Sequence, residues 1–343
     1  KAAFLVGEQA FELRKLPDPA APDDGLVLEV AACGVCGGDV RRWKAGQSHG
    51  ASDVVLGHEV TGVVQTVGRD VTGFAPGARL ALAPDVHCGT CYYCQRGMYN
   101  LCDDLQLVGI SPDYAGGFAE QMVLTGEVLR NGIVHHIPDA LSFRDAALSE
   151  PCSSVLATHD KMGTGLGDTV VVMGAGPMGC LHTIVGKAHG ARVIVSEPVE
   201  ERQEMVRSFD PDVIVDPFNQ DLEQIVRTMT DGVGADIVIC ANPVAATQTQ
   251  AVEIVRKAGT VVLFGGLPSP MTTLDGNKIH YGEIAVVGAF SYHPTYHALA
   301  LQVLERGLIP IDRVITHTFP LAEIEEAFEI AARGEALKAI IEM

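Results

Sequence analysis

Between Pro151 and Gly288, six apolar segments alternate with stretches of helical pattern, and this alternation most restricts the possible fold. The apolar segments, each ending in turn residues, are DTVVVMGAG, ARVIVSEP, PDVIVDP, ADIVICAN, GTVVLFGG and EIAVVGAF. Helical patterns such as GCLHTIVGKAHG lie between them. Continuously apolar strands with helical crossovers are typical of a parallel sheet covered on both faces. Six of them predict a doubly wound, dinucleotide-binding α/β domain.

The two flanking regions have different patterns of predicted secondary structure. Residues 1–150 contain short β-like runs such as GLVLEVAACG, EVTGVVQTVG, ARLALAPD and FAEQMVL, typical of a compact barrel or sandwich. Residues 289–343 contain two amphipathic helical patterns and a final strand-like LKAIIEM. Because this last region is too small for a domain, we expect it to pack against the N-terminal region. The sequence therefore predicts two domains, 1–150 with 289–343, and 151–288.

Charge and hydropathy exclude several classes of function. The formal net charge is -19, which disfavours nucleic acid and anionic membranes as partners because both call for a basic surface. No apolar run approaches the roughly 20 residues that span a bilayer. The opening segment KAAFLVGEQAFELRKLPDP reads as a strand and a turn, without the cleavage site of a signal peptide. We therefore expect a cytoplasmic protein that acts on a small molecule.

The segment VVVMGAGPMG carries a dinucleotide-binding fingerprint. Its glycines have G-x-G-x-x-G spacing after an apolar strand, which lets a pyrophosphate approach backbone N–H groups at a helix N-terminus. Glu197 ends the next predicted strand, where a carboxylate binds ribose hydroxyls and repels a 2′-phosphate. NAD is therefore favoured over NADP, although Arg202 could bind the 2′-phosphate of NADP. The alternative to a dinucleotide site is a glycine turn that serves packing alone. The predicted cofactor-binding residues are Gly174, Gly176, Pro177, Met178, Gly179, Glu197 and Arg202.

Four of the nine cysteines lie in one loop, CGTCYYCQRGMYNLC, within about residues 85–105. An odd number of cysteines in a cytoplasmic chain argues against structural disulfides. The spacing C-x2-C-x2-C-x7-C suits a single tetrahedral ion. A 4Fe–4S cluster uses similar spacing, but the proline that follows the fourth cysteine in bacterial ferredoxins is absent. Because four thiolates leave no open coordination position, we predict a structural zinc held by Cys88, Cys91, Cys94 and Cys102.

A second set of potential metal ligands is spread over three segments. His58 and Glu59 are adjacent in LGHEVTGVVQTVG, CGVCGGD lies upstream, and Glu150 lies downstream in LSEPCSS. A thiolate, an imidazole and carboxylates can hold a zinc that keeps one position open to substrate. Spacing alone leaves a second interpretation equally open, in which His58 and Glu59 are a hydrogen-bonded core pair.

The order of these motifs resembles the zinc-dependent medium-chain dehydrogenase/reductase family. The pattern G-H-E-x2-G-x5-G-x2-V from Gly57 to Val71 is similar to the family's zinc signature, and the four-cysteine loop, the fingerprint and the closing VITHTFPLAEIEEAFE follow in the family's order. The sorbitol (polyol) and threonine dehydrogenase branch is the most similar. The resemblance implies an α/β two-domain chain with a GroES-like β-barrel catalytic domain and a Rossmann domain, catalytic and structural zinc, NAD, and a homo-dimer or homo-tetramer.

The resemblance also assigns individual residues. GVCGGD matches the family's G-V/I-C-G-S/T-D, so Cys36 rather than Cys33 matches the metal-binding cysteine. Glu150, in an E-P pair, stands where simple alcohol dehydrogenases have a further cysteine. The implied catalytic residues and ligands of the catalytic zinc are Cys36, His58, Glu59 and Glu150.

Several positions depart from the family pattern. Gly38 replaces the Ser or Thr that passes the substrate proton onward, and Arg41 replaces a common His. Tyr292 is retained from an Arg-Tyr pair that helps to hold sugar hydroxyls, with Ser291 before it. The candidate substrate contacts are Arg41, Trp43 and Tyr292, although core packing is the favoured interpretation of Trp43.

The implied function is oxidation of a secondary alcohol of the polyol or sugar type to a ketone, with hydride transfer to NAD. In the alternative, Arg41 and Arg42 recognise an anionic alcohol such as a hydroxy acid, threonine or a sugar phosphate, and a solvated charge pair is the simpler explanation of both. Two other classes of function remain. One is a zinc-ribbon module that binds nucleic acid, which the acidic charge opposes, and the other is a zinc-free relative similar to quinone reductases or a non-catalytic relative. Cys36, His58 and Glu150 together oppose the latter.

Overall fold

The computed structural model describes residues 1–267 and 271–343. The chain forms two compact units, one of Lys1–Ser153 with Ser291–Met343, and one of Ser154–Phe290. We call these the terminal unit and the central unit. In the described part of the chain, no helix has both the length and the apolar character that a membrane crossing requires.

The first part of the terminal unit is mainly β-structure. Its strands are β1 (Ala2–Gly7), β2 (Ala10–Arg14), β3 (Leu26–Gly34), β4 (Val54–Val55), β5 (Glu59–Val67), β6 (Arg79–Val86), β7 (Gln106–Leu107), β8 (Gln121–Leu124) and β9 (Gly132–His136). Its helices are α1 (Gly37–Ala45), α2 (Gly126–Asn131) and α3 (Phe143–Ala146), with 3₁₀ turns at Cys94–Arg96 and Tyr99–Leu101. Helix α1 begins after Cys36 because Cys36 is its N-cap and Asp39 completes a capping box.

The central unit is built around one parallel sheet. Its strands are β10 (Thr169–Met173), β11 (Arg192–Ser196), β12 (Val213–Val215), β13 (Ala235–Cys240), β14 (Val255–Leu263) and β15 (Ala285–Gly288). The intervening helices, after α4 (Ser149–Met162), are α5 (Pro177–Ala188), α6 (Glu200–Arg207), α7 (Leu222–Met229), α8 (Ala245–Ile254) and α9 (Gly276–Gly282).

The strand order of this sheet is β12-β11-β10-β13-β14-β15, and neighbouring strands are parallel throughout. Every predicted apolar segment overlaps one of these strands. Fully buried β-branched residues such as Val171, Val238 and Val261 fill the core beside the sheet, as expected for strands covered on both faces. The predicted doubly wound sheet is therefore confirmed.

After the central unit the chain returns to the terminal unit. The last elements are α10 (Pro294–Glu305), α11 (Ile311–Val314), β16 (Ile315–Pro320), a 3₁₀ turn at Leu321–Glu323, α12 (Ile324–Arg333) and β17 (Lys338–Glu342). Strand β17 pairs in parallel with β16 and antiparallel with β3. The final strand of the chain is thus an integral part of the sheet that the N-terminal region begins.

The strands of the terminal unit form two sheets. The smaller sheet has the order β2-β1-β4, and the larger has the order β16-β17-β3-β5-β6-β7, with β8 on β3 and β9 on β6. Phe118 and Phe328 are fully buried and pack edge to face at 5.6 Å in the core of this unit. Strands β17, β3 and β5 are adjacent in the larger sheet, so residues at their ends lie close together.

Candidate metal and dinucleotide sites

Three of the four predicted ligands of the catalytic zinc come together in the terminal unit. The ligand atoms of Cys36, His58 and Glu59 all lie within 4.8 Å of one another. Cys36 follows the end of β3, and Glu59 begins β5 opposite Gly34, so the pairing of two neighbouring strands assembles this metal cluster. A Cβ on Gly34 would collide with the Glu59 carboxylate, so a larger residue there would displace that carboxylate from the metal cluster.

Asp39 supports the metal cluster from behind, although it was not among the predicted site residues. It is fully buried, its Oδ1 lies 3.3 Å from His58 Nδ1, and its Oδ2 accepts a hydrogen bond from Cys36 N at 3.4 Å. The two atoms are in contact but do not meet the geometry of a hydrogen bond, and a carboxylate beside one imidazole nitrogen leaves the other nitrogen for a metal. Burial alone would lower the pKa of His58, but the charges of Asp39 and Cys36 raise it well above its usual value. The negative charges around His58 therefore favour the binding of a cation at this site.

Glu59 has a partner that sequence reasoning missed. Lys338 in β17 is 4% exposed, and its Nζ forms an ion pair with Glu59 Oε1 and donates to Val35 O at 3.2 Å. The available signal was a lysine inside the apolar strand LKAIIEM, since lysine is almost never fully buried unless it is paired. The other carboxylate oxygen, Oε2, is buried without a hydrogen-bond partner among the described residues. A thiolate, an imidazole and an unpartnered buried carboxylate oxygen are a donor set that fits zinc.

Glu150, the fourth predicted ligand, is not one of the residues grouped within 4.8 Å. It lies in the first turn of α4, and its Oε1 accepts a hydrogen bond from Tyr292 OH at 3.1 Å. Burial raises the pKa of Glu150 to about 7, while the charge of His58 lowers it and the charge of Glu59 raises it. Tyr292, which is 3% exposed, thus contacts a predicted ligand.

Helix α1 places the other predicted substrate contacts in different surroundings. Trp43 is 3% exposed, belongs to the hydrophobic core, and its ring lies 5.8 Å from that of Phe328. This location agrees with the packing interpretation of Trp43 and disagrees with a substrate wall. Arg41 is exposed and Arg42 is half-buried, and with Gly38 both line a cavity that is open to solvent.

The four-cysteine loop is folded into a single cluster. The thiol sulfurs that lie within 4.8 Å of one another, none of them in a disulfide, belong to Cys88, Cys91, Cys94 and Cys102. The backbone N–H groups of Cys91 and Asp104 donate to Cys88 Sγ and Cys102 Sγ, at 3.4 Å in both cases. Hydrogen bonds from the backbone of Thr90 and Cys91 lower the pKa of Cys88 to about 6. Four convergent sulfurs with backbone donors fit a closed tetrahedral zinc site.

The glycine loop joins β10 to α5 in the central unit. Gly174 has a φ of 106°, a left-handed conformation that favours glycine. A Cβ on Gly179 would collide with the Gly174 carbonyl oxygen, so the close packing of strand and helix requires glycine. Gly176 is the N-cap of α5 and Pro177 its first residue, and no side chain in the described structure caps the helix. The N–H groups of the first turn, beginning with Met178, can therefore bind a phosphate.

Glu197 follows β11 and lies against the glycine loop. It is 3% exposed, its Oε2 accepts a hydrogen bond from Ala175 N at 2.7 Å, and its Oε1 accepts one from Val199 N at 3.0 Å. The carboxylate thus ties the end of β11 to the loop, a role that the sequence did not indicate. Each oxygen keeps a lone pair for a ribose hydroxyl, so the predicted ribose contact stays a prediction. Arg202 lies half-buried on α6.

Comparison with known proteins agrees with this arrangement. The chain matches the family model for the alcohol dehydrogenase GroES-like domain over residues 22–139 and that for zinc-binding dehydrogenases over residues 177–306. A D-arabitol-phosphate dehydrogenase from Enterococcus avium is 34% identical over 328 residues, covering 94% of this chain and 91% of that one. A sorbitol dehydrogenase from Halalkalibacterium halodurans is 32% identical over 339 residues, covering 98% and 96%. Among solved structures, an alcohol dehydrogenase from Thermus sp. ATN1 has a TM-score of 0.92 at 26% identity over 99% of both chains.

These similarities confirm two predictions. The fold is a GroES-like β-barrel domain with a Rossmann domain, and the protein is an oxidoreductase that acts on CH–OH groups. The predicted cofactors, zinc and NAD, are those of the family, and the donor sets and the glycine loop described above fit both. The chain belongs to the zinc-dependent medium-chain dehydrogenase/reductase family, in its polyol and threonine dehydrogenase branch.

Proposed function

We propose that the protein oxidises a secondary hydroxyl of a polyol or sugar-like alcohol to a ketone and transfers the hydride to NAD. The observation that carries this proposal is the metal cluster, in which a thiolate and an imidazole lie beside a buried, unpartnered carboxylate oxygen of Glu59. The two relatives described above are named for arabitol phosphate and sorbitol, both polyol-type compounds, which supports the same substrate class here.

Cys36, His58 and Glu59 would hold the catalytic zinc, with Glu150 as a direct or water-bridged fourth ligand. Bound zinc supplies a Lewis acid that lowers the pKa of an alcohol hydroxyl. The mixed sulfur, nitrogen and oxygen donors agree with a catalytic zinc site. Four thiolates would form a closed structural site, and an all-oxygen set would suit magnesium or calcium.

The residues around the donor set have positioning roles. Asp39 orients the His58 ring, and Lys338 holds one Glu59 oxygen while leaving the other for a metal. Tyr292 orients Glu150 through its hydroxyl. These partners restrict the rotamers of the ligands before any metal binds, which lowers the entropy cost of forming the site.

The proton released by the substrate needs a route that does not begin at residue 38. Gly38 has no side-chain hydroxyl to accept it, unlike the Ser or Thr of the family pattern. We propose that water carries this proton to solvent.

The glycine loop and Glu197 would bind the dinucleotide. First-turn N–H groups of α5 would contact the pyrophosphate, and Glu197 would accept hydrogen bonds from the adenosine ribose. Bound NAD supplies the nicotinamide ring that accepts the hydride. The Glu197 carboxylate disfavours a 2′-phosphate, so NAD is proposed over NADP, with Arg202 as the residue that would favour NADP.

Three further proposals rest on family membership and composition. The four-cysteine loop would hold a structural zinc that takes no part in the reaction, because no coordination position would remain open. A homo-dimer or homo-tetramer in the cytoplasm is proposed from the family. The net charge of -19 supports the expectation that neither nucleic acid nor an anionic membrane is a partner.

The test is the formation of NADH or NADPH, followed by absorbance, with zinc-loaded protein and parallel NAD and NADP series. Polyols, inositols and aldoses are compared with hydroxy acids, threonine and sugar phosphates. Oxidation of a polyol-type alcohol with NAD is the expected result, and a zinc-loaded protein that oxidises none of these alcohols would overturn the proposal. Cys36→Ser should lose activity and one zinc, whereas Cys33→Ser is the matched control because Cys33 lies outside the metal cluster.

A further inference from the structure

Arg41 and Arg42, in successive positions of α1, line a cavity together with Gly38, which is one of the residues that depart from the family pattern. The cavity has a volume of about 340 Å³ and is open to solvent. It lies entirely in the terminal unit, and its walls are Gly38, Arg41, Arg42, Ala45, Gln47, His49 and Gly50. We call it the arginine cavity.

Gly38 shows where the two guanidinium groups point. A Cβ on Gly38 would lie 2.9 Å from Arg42 Nη1 and 3.9 Å from Arg41 Nη2. The same point is 3.6 Å from Cys36 Sγ. Both guanidinium groups therefore converge on one spot, and that spot is in van der Waals contact with a ligand sulfur of the metal cluster.

These two guanidinium groups lack the carboxylate partners that several other arginines have. Arg14, Arg144 and Arg256 each have a carboxylate oxygen within 2.7 Å. Neither Arg41 nor Arg42 forms an ion pair across residues 1–267 and 271–343, although the chain has 43 acidic residues against 24 basic ones. Two convergent, unpaired cations repel each other, and an anion between them would convert that repulsion into attraction.

We propose that the arginine cavity binds the phosphate group of a phosphorylated polyol whose secondary hydroxyl lies at the metal cluster. This inference rests on the proposed function and names its substrate class. Two guanidinium forks match the three oxygens of a phosphate monoester better than a carboxylate, which a single fork already satisfies. The donors of Gln47 and His49 line the same cavity. A polyol chain of a few carbons is enough to connect the phosphate to a hydroxyl beside Cys36.

The test compares each neutral polyol with its own phosphate ester: sorbitol with sorbitol 6-phosphate, and D-arabitol with D-arabitol 5-phosphate. Zinc-loaded protein and saturating NAD are used throughout. We expect kcat/KM to be about 100-fold higher for the ester, mainly through KM, because charge-assisted hydrogen bonds to a guanidinium are among the strongest neutral-pH contacts.

Variants of the arginines separate this site from the rest of the enzyme. Arg42→Ala and Arg41→Ala should each lower the ester-to-neutral ratio of kcat/KM by at least about tenfold. Arg42→Lys keeps the charge without the fork and should fall between. Gly38→Ala, whose new Cβ would push the movable Arg42 Nη1 aside, should lower the ratio by less than Arg42→Ala does. Lys44→Ala is the matched control, because it removes a cation from the same helix outside the cavity.

A phosphate can also come from the dinucleotide, and the dissociation constant of NAD distinguishes the two sources. If Arg42→Ala weakens NAD binding tenfold and leaves the ester-to-neutral ratio unchanged, the arginines serve the cofactor and the inference is overturned. Equal kcat/KM for esters and neutral polyols overturns it as well, while the proposed function stands.

A binding measurement tests the phosphate site even if the proposed function is wrong. If no alcohol is oxidised, calorimetric titration of sorbitol 6-phosphate into the zinc-loaded protein decides the inference. Binding that Arg42→Ala weakens at least tenfold supports the phosphate site, and binding that is absent or unchanged in the variant overturns it.

Discussion

Replacement of Lys338 by methionine tests how the metal cluster is held. Lys338→Met keeps an unbranched side chain but removes the charge that faces Glu59. The two side chains are 5% and 1% exposed, so water cannot take the place of the lost partner. Removal of one member of a buried ion pair costs about 3–5 kcal/mol, because the remaining charge is buried without compensation. The loss of the Nζ donor to Val35 O adds about 1 kcal/mol.

The loss of stability should be largest in the metal-free protein. A zinc bound to Glu59 would supply positive charge when the lysine is absent, so the zinc-loaded variant should lose less. Burial lowers the pKa of Lys338, but the charges of Glu59 and Cys36 act more strongly together, and the net direction is upward. The lysine is therefore charged throughout the neutral range, and the predicted loss does not depend on pH there.

Fluorescence of the single tryptophan provides the assay. Trp43 is buried in the core of the terminal unit, so its emission reports the unfolding of that unit in urea. Lys338→Met/Glu59→Gln removes both charges and should recover most of the lost stability, whereas Lys44→Met, at an exposed position, should change it by less than about 0.5 kcal/mol. A loss below about 1 kcal/mol in Lys338→Met, or a double variant no more stable than the single one, would refute this account of Glu59.

Three other predictions concern the remaining sites. Cys94→Ser should remove one zinc per chain by metal analysis and lower the free energy of unfolding by about 3 kcal/mol or more, and an unchanged zinc content would contradict a four-thiolate site. Glu197→Ala leaves Ala175 N without its acceptor and should raise the KM for NAD about 10–100-fold while reducing discrimination against NADP, and unchanged kinetics with both cofactors would contradict that role. Burial holds the pKa of His182 well below its usual value, so the stability it contributes is complete above pH about 6.5 and is lost as the pH falls below that value. Between pH 7 and 5.5 the wild type should therefore lose about 1 kcal/mol more than His182→Leu in urea unfolding followed by circular dichroism, and equal losses would contradict it.

The central unit was predictable because its sheet is buried on both faces. A strand such as β10 has no solvent side, so every residue from Thr169 to Met173 is buried and the apolar run is continuous. The crossover helices then leave few alternatives to a parallel sheet. The smaller sheet of the terminal unit gave a weaker signal. Its strand β2 has no buried residue, and the opening segment was interpreted as one strand and a turn rather than a hairpin.

The candidate metal site was only partly predictable from spacing. Cys33 and Cys36 are three residues apart, and in the sequence only the resemblance to the family distinguishes them. The structure supplies a physical reason, since Cys33 is fully buried inside β3 while Cys36 caps α1 at the end of that strand. Asp39 could have been found from its position three residues after the cysteine, where a capping-box carboxylate is common.

Lys338 could not be placed from the sequence, because its partner lies 279 residues away. Burial of a lysine is recognisable only after the strand order is known, and that order puts β17 beside β3. The same limit applies to Trp43, whose neighbour Phe328 comes from α12 near the other end of the chain. Contacts across the terminal unit depend on the return of the chain, which local periodicity does not report.

Gly38, which departs from the family pattern, lies against the guanidinium group of Arg42. A hydroxyl-bearing side chain there would begin with a Cβ 2.9 Å from Arg42 Nη1, closer than ordinary van der Waals contact. Arg42 Nη1 is the far end of a flexible side chain, so it can shift aside at little cost when residue 38 carries a side chain. If the guanidinium group binds a phosphate, Gly38 favours that site by leaving the group undisturbed beside the Cys36 sulfur. A neutral polyol gains nothing from the guanidinium group, whereas the missing hydroxyl at residue 38 affects both substrates alike. The phosphate contact alone should therefore make the neutral polyol the poorer substrate.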